Sequence, residues 1–349
     1  MELKPVVFIR ADANSEVGMG HLIRCLALAQ MLRNDFEVIF VTKNTGIMIL
    51  DKFIGNSFRH ESIPANIQLY EEPEYIKSIS TIGKLTCLVL DGYRFDTVYM
   101  AACRLNTDKL VVIDDLVTYH YSCDAIINQA DFVTETQYAG TGIGFFCLGP
   151  AFALLRNDFL VEAKKQSKKA GPIEKVFVSL GGADADNLTY DILRRLQLFE
   201  QIKHISVLTG PVNENIKNWQ EQFNSRSNIT FYNNLSGEAV CNLISTSDLA
   251  ICPASSLSME VCACRTPLLV GKTANNQSGI YRSLTLHGAA KGVGDWGSLT
   301  EVEIDVALNA ALAWNSTERN MMMTAQRQYI DGFSGERMTS LFKQLTHVD

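Results

Sequence analysis

The sequence predicts an α/β protein of two doubly wound, Rossmann-like domains facing a cleft. Three observations predict it. Short β-branched runs alternate with helical patterns along all 349 residues. Runs such as VVFI at Val6–Ile9 and CLVL at Cys87–Leu90 are apolar on both faces, as buried parallel strands are. The alternation lapses once, over FLVEAKKQSKKAGPI at residues 159–173, where paired lysines and Gly171-Pro172 read as a solvated helix end and a linker. The length also favours two domains over one.

In order, Val6–Arg10 reads as a strand and Leu22–Leu32 as a helix with apolar residues at helical spacing. Strands follow at Glu37–Thr42, Cys87–Asp91, Val111–Ile113 and Ala125–Asn128. After the linker the strands are Lys175–Ser179, Ile205–Leu208, Ile229–Phe231, Leu249–Cys252 and Leu268–Val270. A last helix from about Thr317 breaks at Gly332 and resumes at Ser334. The expected domains are residues 1–158 and 172–330, with residues 331–349 as a terminal helix closing the chain. Function is expected in the loops after strands, because ligands of such sheets bind outside the strands' carboxyl ends.

Composition narrows the function. A hydrophobic fraction of 47% supports real cores and excludes disorder. A net charge of -7 argues against a general nucleic-acid partner. No stretch nears the roughly 20 apolar residues of a membrane span. MELKPVVFIR lacks a signal-peptide core, so no membrane anchor and a cytoplasmic location are expected. The nine cysteines form no CxxC pair and read as buried free thiols.

Four segments carry chemistry. Arg10-Ala-Asp12-Ala-Asn14-Ser-Glu-Val-Gly18-Met-Gly20-His21 joins the first strand to a helix. Glycines there let backbone approach a ligand, and the helix start suits phosphate. His21 in that first turn is expected to stay neutral and able to accept a proton. The motif is not a dinucleotide fingerprint, since Ile23 stands where the third glycine belongs. Asp91-Gly92-Tyr93 ends another strand, and of Asp114-Asp115 one carboxylate is expected to cap the next turn. Gly181-Gly182-Ala-Asp184-Ala-Asp186 repeats the strand-to-helix pattern, and its D-x-D reads as capping rather than metal binding. In Pro253-Ala254-Ser255-Ser256-Leu257-Ser258-Met259-Glu260 small residues open an apolar helix and suit a diphosphate. Glu260, one turn in, suits ribose hydroxyls or a capping box. Asn275-Asn276-Gln277-Ser278 is an amide cluster fit for sugar hydroxyls and acetamido groups, or an ordinary loop.

With these segments in view, the chain resembles the UDP-2,4-diacetamido-2,4,6-trideoxy-β-L-altropyranose hydrolases of pseudaminic acid biosynthesis. The matching motifs are IRADANSEVGMGHLIRCLALA, LVLDGY, VVIDD, CDAIINQ, ALLRNDF, VSLGGADADNLT, ASSLSMEV and NNQS, in that order over roughly residues 6–280. The resemblance implies the glycosyltransferase-B fold, no metal, no cofactor, and only a UDP-sugar and water as partners. It implies His21 as base for water, with Tyr93 and Asn276 around the sugar. It implies nucleotide and substrate contacts from Asp12, Gly18, Gly20, Gly181, Gly182, Ser255, Ser256, Leu257 and Glu260. Gly92 stands where some relatives have His. The implied reaction cleaves the anomeric C–O bond with inversion and releases UDP and the free sugar. A glycosyltransferase of the same fold, a UDP-sugar 2-epimerase and a non-catalytic nucleotide-sugar binding protein are the alternatives.

Overall fold

A computed structural model describes residues 4–13, 19–46, 50, 54–80, 86–166, 170–181, 184, 186–210, 213, 215–224, 226–233 and 235–347. The chain divides into two compact units, residues 1–157 with 333–349, and residues 158–332.

The first unit carries strands β1 (Val6–Ala11), β2 (Glu37–Thr42), β3 (Arg59–Ser62), β4 (Thr86–Asp91), β5 (Lys109–Ile113), β6 (His120–Ser122), β7 (Ala125–Asn128), β8 (Ala139–Thr141) and β9 (Phe145–Leu148). Among the described residues a seven-stranded parallel sheet runs β3-β2-β1-β4-β5-β7-β9, and β6 pairs β8 apart from it. The central strands β1 and β4 are buried along their whole length, which explains their unbroken apolar runs. Sequence order runs outward from β1 on one side and from β4 on the other, so the topological switch point lies between them. Helices α1 (Gly20–Leu32), α2 (Glu72–Ser78) and α3 (Thr97–Asn106) follow strands, and α4 (Asn157–Ala163) marks the boundary of the units.

The second unit carries β10 (Lys175–Val178), β11 (His204–Thr209), β12 (Ile229–Asn233), β13 (Leu249–Pro253), β14 (Leu268–Lys272) and β15 (Lys291–Asp295). They form a six-stranded sheet, β12-β11-β10-β13-β14-β15, again parallel, with its switch point between β10 and β13. Its helices are α5 (Leu188–Leu196), α6 (Ile216–Gln222), α7 (Gly237–Ser245), α8 (Ser256–Ala263), α9 (Ser278–Leu286), α10 (Glu301–Leu312) and α11 (Ser316–Tyr329).

The final helix α12 (Ser334–Thr346) belongs to the first unit. Met338, Leu341, Phe342 and Leu345 recur at helical spacing and are buried in the core that contains Leu22, Leu28 and Leu32 of α1. Phe342 meets Phe36 edge to face at 6.1 Å, and Lys343 pairs with Asp35 at 3.0 Å. The chain end thereby covers the outer side of the helix that carries His21. All nine cysteines are buried and free. Among the described residues no helix is long and apolar enough to cross a membrane.

Candidate active site

His21 is the second residue of α1, and only 5% of it is exposed. The helix starts at Gly20, two residues before the expected start, so His21 stands inside the first turn. Its Nδ1 lies 2.6 Å from Oδ1 of Asp91, the last residue of β4. This pair bridges the β1–β4 switch point.

Asp91 is fully buried and accepts from several donors. Arg24 Nε and Nη2 donate to it at 2.7 and 2.5 Å, and the Cys25 thiol at 3.3 Å. Burial pushes its carboxyl up, but the charge of Arg24 and the hydrogen bonds from Arg24 and His21 overrule burial and hold it well below the usual carboxylate range. An ionised carboxylate only accepts, so the 2.6 Å contact puts the ring proton on Nδ1 and leaves Nε2 as the acceptor. Arg24 Nη2 also lies 3.2 Å from Nδ1, but the shorter bond to a charged acceptor decides the tautomer. Nε2 has no hydrogen-bond partner among the described residues.

Arg24 also donates through Nη1 to both oxygens of Asp115, at 2.7 and 2.8 Å. Burial pulls the guanidinium pKa down, and Asp115 and then Asp91 more than restore it. Tyr93 donates to Asp115 Oδ2 at 3.2 Å, and its ring meets the His21 ring edge to face at 4.7 Å. One cation and two carboxylates leave the cluster with one net negative charge. A proton taken up by His21 therefore neutralises it. The neighbouring Asp114 accepts from Val117 N at 2.9 Å, the turn-capping role expected of one of the two.

Gly92, between Asp91 and Tyr93, packs against Phe95. A Cβ there would lie 2.9 Å from Phe95 Cε2, so a side chain at this position would require the Phe95 ring to shift. Asp12 lies at the end of β1 with both oxygens engaged. Oδ1 accepts from Arg10 Nη1 and Lys43 N at 2.6 Å each, and Oδ2 pairs with Arg94 at 2.7 Å. A substrate donor would have to share these oxygens. Gly20 has open space where a Cβ would stand. Gly18 and Gly182 lie outside the described residues.

The remaining candidates belong to the second unit. Gly181 follows β10 with φ +111°, a region open essentially to glycine. Ser255, N-cap of α8, makes no side-chain cap bond, and Ser256 and Leu257 open the helix. The first N–H groups of a helix lack intrahelical acceptors and carry its positive dipole end. Gly181 and Ser255-Ser256 thus flank the β10–β13 switch point. Glu260 is the fifth residue of α8 and 4% exposed. That position lies beyond the N3 place of a capping box. Asn276 is exposed in the short turn Asn275–Gln277 after β14. Gln277 pins this turn by accepting from Thr273 N at 2.8 Å. So His21 and Tyr93 touch within the first unit, while Asn276 and the diphosphate candidates gather on loops of the second.

Asp184 acts as the sequence suggests. Its two oxygens accept from Leu188 N at 3.0 Å and Thr189 N at 2.9 Å at the start of α5. Among the described residues no three His, Cys, Asp or Glu side chains gather as metal ligands. Sequence reasoning missed Asp91, Arg24 and Asp115 as parts of the site. The available signal was Arg24 one turn after His21, with carboxylates at two strand ends.

No protein-family model matches this chain. It is 28% identical over 260 residues to the UDP-2,4-diacetamido-2,4,6-trideoxy-β-L-altropyranose hydrolase of Campylobacter jejuni, covering 73% of this chain and 86% of that one. It is 23% identical over 354 residues to the spore coat polysaccharide biosynthesis protein SpsG of Bacillus subtilis, covering 97% and 98%. The S. aureus MnaA–UDP structure superposes with a TM-score of 0.66 at 12% identity, covering 99% of this chain and 98% of that one. Two parallel sheets in two units, matched over nearly the whole chain by such structures, make this the two-domain glycosyltransferase-B fold.

Proposed function

We propose that the chain is a nucleotide-sugar-acting enzyme, and specifically a metal-independent hydrolase of UDP-2,4-diacetamido-2,4,6-trideoxy-β-L-altrose, acting in nonulosonate biosynthesis. The observation that carries this reading is the His21–Asp91 pair at the β1–β4 switch point, in a chain similar to a hydrolase of that substrate. Asp91 orients the ring and Arg24 keeps Asp91 ionised. Nε2 of His21 takes a proton from a water that attacks the anomeric carbon. The bond from that carbon to the UDP oxygen breaks, and configuration inverts. UDP leaves as an anion, received by N–H groups at the start of α8 and near Gly181. UDP is a good leaving group, so the two-carboxylate apparatus of ordinary glycosidases is unnecessary. Tyr93 and Asn276 contact the sugar.

Incubation with a panel of UDP-sugars, no acceptor, tests this. UDP and free sugar should appear with the diacetamido substrate, and EDTA should leave the rate unchanged, since helix-start amides replace a metal at the diphosphate. UDP release only when an acceptor is added would identify a transferase instead. Loss of turnover in EDTA, restored by Mn²⁺, would return Asp184 and Asp186 to a metal role.

Glu260 is assigned to the ribose hydroxyls. Glu260→Ala should weaken UDP binding by about 1.5–3 kcal/mol, the range for a hydrogen bond to a charged group. Calorimetry with unchanged UDP affinity would remove Glu260 from the site.

A further inference from the structure

A second charged cluster gathers at the carboxyl ends of β1 and β2. Arg10 of β1 is fully buried and donates from Nη1 to Asp12 Oδ1 at 2.6 Å and from Nε to Glu72 Oε2 at 2.9 Å. Glu72, the first residue of α2, is fully buried too and accepts from Tyr99 Oη at 3.0 Å. Lys43, just after β2, places Nζ 3.7 Å from Glu72 Oε1 and donates to Ile67 O. Arg94 joins from the loop after β4, one residue beyond Tyr93. Its Nη2 lies 2.7 Å from Asp12 Oδ2 and 3.4 Å from Glu72 Oε1.

Arg94 differs from the rest of the cluster. Its side chain is 40% exposed, against 12% or less for the other charged members. The Phe95 ring carries both guanidinium groups, with Arg10 5.3 Å and Arg94 5.5 Å from its centroid, so the Arg94 head is held in place. Only Nη2 is engaged, and Nε and Nη1 make no hydrogen bond among the described residues. Arg10 and Lys43 already balance the two carboxylates, so the burial of Asp12 and Glu72 does not require a third cation. Arg94 therefore brings a surplus positive charge and unused donors to the carboxyl-end loops, where ligands of such sheets bind.

We propose that Arg94 is an anion-binding residue that receives the diphosphate of the nucleotide sugar. A guanidinium stays charged at any working pH, and its N–H donors match phosphate oxygens. A nucleotide sugar substituted with acetamido and methyl groups carries its charge on the diphosphate alone, so that is the part such a cation attracts. Asp12, Glu72 and Phe95 fix the guanidinium before the ligand arrives, which lowers the ordering cost of binding. The inference rests on the nucleotide-sugar reading but not on hydrolysis.

The test titrates the unmodified protein, Arg94→Ala and Arg94→Lys with UDP, uridine and inorganic pyrophosphate, followed by ligand-observed NMR. Arg94→Ala should weaken UDP and pyrophosphate about tenfold or more, as loss of a hydrogen bond to a charged group does, and leave uridine unchanged. Arg94→Lys keeps the charge without the planar fork and should recover part of the loss. Both variants should unfold near the parent temperature, because Arg10 and Lys43 still hold Asp12 and Glu72. Uridine weakened as much as UDP would mean general damage to the site and would overturn the assignment. Unchanged UDP affinity in Arg94→Ala would overturn it as well. Pyrophosphate held through Arg94, with UDP bound no better than pyrophosphate and uridine not at all, would instead overturn the nucleotide-sugar reading and leave the anion site standing. No binding of any of the three ligands would overturn both.

Discussion

His21→Asn should lower turnover of the diacetamido UDP-sugar by about 10²–10⁴-fold, the usual worth of a general base, and change UDP affinity little. Asparagine is of similar size and can still donate to Asp91, so the fold around β1 and β4 should survive. What it lacks is a nitrogen lone pair able to take a proton. Single-turnover rates and UDP calorimetry on the same preparation separate chemistry from binding. Turnover within a few-fold of the parent would remove His21 from the base role. A collapse of UDP affinity with little rate loss at saturation would make it a binding residue.

Asp91→Asn should damage both stability and activity. The carboxylate is fully buried and takes two bonds from Arg24 and one from His21. Removing one partner of a buried ion pair costs about 3–5 kcal/mol, and the low end applies because Asp115 still neutralises Arg24. The pH dependence follows from the depressed Asp91 pKa. A carboxyl with a lowered folded-state pKa stabilises fully above its unfolded value of about 3.9, and the contribution fades as pH falls below it. The gap in unfolding free energy between parent and variant should therefore be flat from neutral pH down to about 4 and narrow below that. Denaturant titrations at stepped pH measure it. A gap that widens on acidification would mean Asp91 does not act as a buried anion. The turnover loss should also approach that of His21→Asn, because the ring then loses the partner that fixes its tautomer.

Much of the fold was legible because central parallel strands bury both faces. β1, β4, β10 and β13 announce themselves as apolar runs, and their carboxyl ends point to His21, Gly181 and Ser255. The edge strands β3 and β15 were not legible, although edge strand β12 was. β3 is Arg-His-Glu-Ser and β15 is Lys-Gly-Val-Gly-Asp, strands held by one neighbour each and too polar or glycine-rich to read as strands alone. The site divides along the same line. His21 was readable from its place at a strand-to-helix junction, a local feature. Its partners were not, because Asp91 and Asp115 meet Arg24 across 67 and 91 residues of sequence. Only the parallel packing of β1, β4 and β5 makes them neighbours.

Isotope placement tests the central claim most directly. The unmodified protein turns over the diacetamido UDP-sugar in ¹⁸O-water, and mass spectrometry follows both products. Attack by His21-activated water at the anomeric carbon predicts the label on the free sugar and none in UDP. Label in the terminal phosphate of UDP would mean attack at phosphorus and would contradict the role of His21 as the base for attack at carbon.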